Sequence, residues 1–138
     1  MTQLAIFQPV LALVLLTFLV LLRIPYVRIR AALAQRVTVD DFRLGESPVV
    51  PADVALPNRN YMNLLELPLL FYVLALTLHV TQRVDSVELT LAWLYVGLRV
   101  LHSCVHLTVN HVLTRLAFFA ASNFTLAAMW AYFAMKVL

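Results

Sequence analysis

Apolar residues run in long unbroken blocks along this chain, and polar residues fall between the blocks or at a few points inside them. Stretches such as LALVLLTFLVLL (11–22) and LAAMWAYFAM (126–135) show no alternation with a period of two, which argues against outer-membrane strands. A helix needs about 20 residues to cross the hydrocarbon core. Four blocks reach that length and predict four transmembrane helices at about 4–27, 61–80, 87–107 and 116–137. Pro9 falls near the outer end of the first, and Asn63, Glu66 and Pro68 interrupt the second. Arg99 sits inside the third, and Ser122, Asn123 and Thr125 inside the fourth.

The segments between the blocks set a direction. Arg23, Arg28, Arg30, Arg36, Arg43 and Arg59 cluster around the first connection, and Arg115 lies in the third. The opposite side has Arg83 and Lys136. By the positive-inside rule the first and third connections are cytoplasmic, and an even number of spans leaves both termini on the other side. The first connection contains GESPVVPADVALP, rich in turn-formers and poor in periodicity, which predicts a cytoplasmic loop after an extension of the first helix. Met1 to Leu22 carries no charge, and the positive residues follow the apolar run. That order predicts a retained first span and not a cleaved secretory signal.

Composition agrees with the pattern. Hydrophobic residues make up 63% and charged residues 12%, against about 25% charged in a soluble domain. The 138 residues leave room for a single membrane domain, 1–138. The net charge of +3 comes from arginines beside apolar blocks, so no nucleic-acid partner is implied. Cys104 is the lone cysteine, so neither an internal disulfide nor a cysteine-rich metal pattern is available. Gly45 and Gly97 are the two glycines, and the helices lack small-residue stripes for close packing.

Ionisable groups within a span are costly and usually face a protein interior or a wet cavity. At about 100° per residue, Arg59, Asn63 and Glu66 fall within an arc of roughly 60° on the second helix. Tyr95, Arg99, His102, Ser103 and His106 fall within about 100° on the third, with Cys104 pointing elsewhere. Glu66 lies about 9 Å in from Asn60, and Arg99 about 12 Å in from Leu107, at similar depth in one leaflet. Arg115 sits at the rim. Two readings remain open for Glu66 and Arg99, a buried ion pair that fixes helix packing or part of a binding site. The company of Arg59, Asn63, His102, His106 and Arg115 favours a site for an anionic, zwitterionic small molecule. There arginines would take carboxylates and Glu66 an ammonium group. His102 and His106 stand at i, i+4, the spacing of a helical metal pair, but no third ligand accompanies them, so no metal is expected.

These residues resemble a known family. Arg59-Asn60-Tyr61-Met62-Asn63-Leu64-Leu65-Glu66 is similar to the R-x-x-x-N-x-x-E signature of the MAPEG superfamily, the membrane-associated proteins of eicosanoid and glutathione metabolism. Arg99, His102 and His106 match its third-helix pattern, Arg115 follows nine residues later as in several members, and Arg28-Ile29-Arg30 resembles the end of its first helix. The resemblance, to a bacterial-type member, implies an all-α integral membrane protein, a four-transmembrane-helix bundle assembling as a homotrimer in the inner membrane. It implies glutathione as co-substrate near the cytoplasmic face, held by Arg59, Asn63, Glu66, Arg99, His102 and His106. Arg28 or Arg30 of an adjacent subunit would add to that set, and Arg115 would stabilise the thiolate. A lipophilic electrophile would arrive through the lipid, for conjugation or peroxidase-type reduction. The histidines stand where relatives often carry tyrosine, and Leu67 follows Glu66 where some have tyrosine. Two further roles therefore stay open: a non-catalytic subunit of a larger membrane complex or a lipid-binding protein, and a histidine-ligated metal or haem protein.

Overall fold

The computed structural model describes residues 2–138, and every regular element in them is helical. A short 3-10 turn, Gln3–Ile6, leads into α1, Phe7–Leu33. Pro9 stands in the first turn of α1, where its missing N–H would have had no partner in any case. After a connection containing a second 3-10 turn, Val39–Phe42, come α2 (Ala52–Leu65), α3 (Pro68–Val80), α4 (Ser86–Leu107) and α5 (Val112–Val137). With α2 and α3 end to end, these form four rods.

Two expectations need correction. Helix begins at Ala52, inside the stretch read as a loop, so the second rod reaches further than the expected 61–80. Pro51 stops short of it with extended backbone, and Pro57, inside α2, withholds the ladder bond to the Asp53 carbonyl. The same rod is not straight. It breaks at Glu66 and Leu67, ahead of Pro68, which starts α3.

Among the described residues three segments are long and apolar enough to cross a membrane: Gln3–Leu33, Ala52–Val80 and Val112–Val137. The expected fourth, α4, is not among them, because Glu88, Arg99, His102 and His106 dilute its apolar character. Those four side chains are buried, together with Ala92, Tyr95, Val96 and Ser103. They form the inward stripe of a helix packed against α1, α2 and α5. The outer faces of α1 and α5 carry exposed apolar side chains such as Leu11, Leu15, Phe18, Phe124 and Met135, as a lipid-facing surface requires.

The connection after α1 is tied down by ions. Arg28 Nη2 meets Glu46 Oε1 at 3.1 Å while its guanidinium lies 4.3 Å from the Phe42 ring centre. Arg36 and Asp53 form a two-pronged pair at 2.8 and 3.0 Å that joins the end of α1 to the start of α2. Val37, Val50, Val54 and Ala55 make a small apolar core beneath.

Candidate functional site

The α4 stripe, α2 and the start of α5 surround a cavity of about 630 Å³ at the arginine-rich end of the bundle. That volume is within the range of about 300–1,000 Å³ common for small-molecule sites. Arg59 and Asn63 come from α2, His102 and His106 from α4, and Arg115 from α5. Val50, Leu56, Leu116 and Phe119 supply apolar wall. Among the described lining residues there is no carboxylate.

Each polar group has a local cause for its position. His102 and His106 are one turn apart on α4, so both rings project from one face, 5.5 Å apart and edge to face. His102 also packs on Phe119 at 5.7 Å. Both imidazoles are buried, and His102 Nδ1 and both ring nitrogens of His106 lack a hydrogen-bond partner among the described residues. Buried polar atoms in that condition suit a ligand that supplies the missing bonds. Arg115 lies in the first turns of α5, whose N-cap is His111. Its Nη1 donates to Asn110 Oδ1 at 2.7 Å. Asn110 has φ +46, the left-handed conformation that asparagine tolerates well, and it reverses the chain between α4 and α5. Arg115, Arg59 and the amide-bearing start of α5 together give the cavity a positive field.

Other predicted residues fall elsewhere. Arg99 is fully buried and lies behind the wall, where its Nη2 donates to the Asn63 carbonyl and its guanidinium rests 5.7 Å from the Phe119 ring centre. Glu66 is exposed at the helix break and, among the described residues, forms no ion pair with Arg99. The Glu66 amide still donates to the Met62 carbonyl at 3.2 Å, so Glu66 keeps the α2 register, but it lies outside the cavity lining. Arg28 is committed to Glu46 and Phe42, and Arg30 lies on its own helix against Tyr26. Cys104 is exposed. No group of three or more histidine, cysteine or acidic residues placed to hold a metal occurs among the described residues.

Sequence reasoning missed Asn60 and Asn110. Asn60 is fully buried and accepts from Ser103 Oγ at 3.3 Å, linking α2 to α4. Both are asparagines beside recognised positions, but their partners lie on other elements and give no local signal.

A second charged cluster occupies the opposite end. Lys136 Nζ lies 2.9 Å from Asp85 Oδ2 and 3.4 Å from Glu88 Oε1, and sits 4.0 Å from the Tyr132 ring centre. Tyr132 also donates to Asp85 at 2.9 Å, and Arg83 donates to the Lys136 carbonyl. Partial burial works to raise the Asp85 carboxyl, but the Glu88 amide, Lys136 and Tyr132 outweigh it and hold it at about 2. This cluster fastens the end of α5 to the start of α4.

No curated protein and no solved structure matches the chain. The sequence profile of the MAPEG family matches residues 6–135, nearly the whole length, and so spans both the rods and the cavity between them. An all-helical membrane protein with this profile along its length belongs to the MAPEG family, the membrane-associated proteins of eicosanoid and glutathione metabolism.

Proposed function

We propose that the cavity binds glutathione and that the protein is a membrane glutathione transferase-like enzyme acting on lipophilic electrophiles. The observation that carries this reading is the convergence of Arg59, Asn63, His102, His106 and Arg115 on one cavity open to small molecules. Arg59 takes a carboxylate of the tripeptide, Asn63 and the two imidazoles supply hydrogen bonds, and Arg115 faces the sulfur. A cation beside a thiol lowers its pKa and raises the share of nucleophilic thiolate near neutral pH. Asn110 fixes the Arg115 guanidinium, so its charge is already in place before the thiol ionises. The electrophile enters beside Leu116 and Phe119, from the lipid.

Around this chemistry we place a homotrimer with four membrane passes per subunit, in a bacterial inner membrane with both termini on the non-cytoplasmic side. In that assembly Glu66, Arg28 and Arg30, which do not line the cavity of their own chain, serve a neighbouring subunit's site. The deciding experiment compares purified wild type and Arg115→Ala in detergent, with glutathione and a chromogenic aryl halide. Wild type gives a thiolate difference spectrum and turnover above background. Arg115→Ala retains glutathione binding within about tenfold but loses about a hundredfold in turnover, the scale for one preorganised electrostatic group. No thiolate signal and no turnover in wild type sinks the reading.

A second reading is a non-catalytic subunit or lipid-binding protein on the same scaffold. The lack of a carboxylate among the described lining residues favours it, since the cavity of one chain then has no partner for an ammonium group. Stoichiometric partners on purification, with thermal stability indifferent to millimolar glutathione, would select it.

A further inference from the structure

The break between α2 and α3 leaves backbone carbonyls without the donors a continuous helix would give them. Pro68 has no N–H to offer the Leu64 carbonyl, and its ring would collide there, so the chain turns at Glu66, where ψ is −97°. The Leu67 N–H swings away from Asn63 with that turn. The ladder resumes beyond the break, with the Leu69 and Leu70 amides donating to Glu66 and Leu67 at 3.1 and 2.9 Å. In place of the Leu67 amide, Arg99 reaches across from α4 and donates Nη2 to the Asn63 carbonyl.

Arg99 therefore touches the cavity wall from behind in two places. It holds the backbone of Asn63, and its guanidinium underlies Phe119, which packs in turn on His102. Asn63, Phe119 and His102 line the cavity, and Arg99 does not. A planar guanidinium suits this double task, because its edge donates while its face rests on a ring; an ammonium does the first alone.

We propose that Arg99 is a positioning residue: it caps the broken end of α2 and thereby sets the Asn63 and Phe119 walls of the cavity, without itself contacting the bound molecule. What the cavity binds rests on the glutathione reading above; the capping role does not.

The test uses the full chain in detergent, as Arg99→Gln, Pro68→Ala and the double variant. Hydrogen exchange across residues 61–70 reads the cap, and glutathione calorimetry with the thiolate spectrum at saturation reads the cavity. Arg99→Gln is expected to speed exchange in that segment and weaken glutathione binding, each about tenfold, the scale of one charge-assisted hydrogen bond. The thiolate signal per bound glutathione stays at the wild-type level, because Arg115 is untouched. Pro68→Ala returns the Leu67 amide to Asn63, so the double variant is expected to match Pro68→Ala alone within about twofold in both readouts. Weakened binding with unchanged exchange, not rescued by Pro68→Ala, would make Arg99 a ligand contact and overturn the proposal. Unchanged exchange and binding in Arg99→Gln would overturn it too. If Arg99→Gln does not fold, the double variant should, since its ladder no longer needs the cap; failure of both is a refutation. If wild type binds no glutathione, the functional reading falls while the exchange cycle still decides the cap.

Discussion

Replacing Lys136 with methionine isolates the cost of one buried carboxylate. Glu88 is fully buried, its Oε1 faces Lys136 at 3.4 Å, and its Oε2 has no partner among the described residues. Asp85 is the other acidic partner, but its side chain is 40% exposed, so water replaces most of what Lys136 gives it. The loss therefore falls mainly on Glu88. Removing one member of a buried ion pair costs about 3–5 kcal/mol. Lys136 keeps 17% of its side-chain surface exposed, which trims the expected cost to about 2–3 kcal/mol. At about 4 °C per kcal/mol for a chain of this size, Lys136→Met should lower Tm by about 10 °C. Thermal unfolding in detergent, followed by size-exclusion chromatography, measures it. Glu88→Gln removes the charge that needs Lys136 and should cost under about 1 kcal/mol by itself. The double variant should recover at least half of the Lys136→Met loss. Equal losses for the two single variants, or a double variant that shows their sum, would refute the view that an unpaired carboxylate is the source.

The same cluster predicts a pH dependence outside the bilayer. Asp85 is held at about 2 against an ordinary 3.8, so its contribution is complete above pH 3.8 and is lost as pH falls toward 2. Tm of wild type should drop across that window more than Tm of Asp85→Asn, measured in the same detergent. A homotrimer is expected in native mass spectrometry, and a clean monomer or dimer would contradict that assembly. The Arg115 and Arg99 experiments given above complete the set, one aimed at the sulfur and one at the wall.

The α4 face was legible because a helical period of 3.6 and the expense of charge in lipid act on the same residues. Tyr95, Arg99, His102, Ser103 and His106 all turn inward as the spacing predicts. The α2 face was legible as far as Asn63. Beyond it the projection assumes a straight helix, and Pro68 breaks that assumption four residues downstream of the carbonyl it displaces. Glu66 keeps its phase with Arg59 through its bond to Met62, but it stands exposed at the break and outside the cavity lining. The start of α2 was hidden for a related reason. Two prolines around Ala52 resemble loop chemistry, although one precedes the helix and the other stands inside it. Arg28 was visible as a charge but not as a clamp, because Glu46 and Phe42 have no periodic relation to it.

The burial of the α4 stripe has a consequence for how the chain enters a membrane. An arginine near the middle of a lone span opposes integration by about 2.5–3.5 kcal/mol, and α4 carries Arg99 there, besides Glu88 in its first turn and two histidines. On release from the ribosome, such a segment gains little from lipid until apolar companions cover it. Since α5 is its most extensive packing partner and follows after a four-residue link, the expected entry is as a hairpin, with α5 bringing the oiliness that its neighbour lacks.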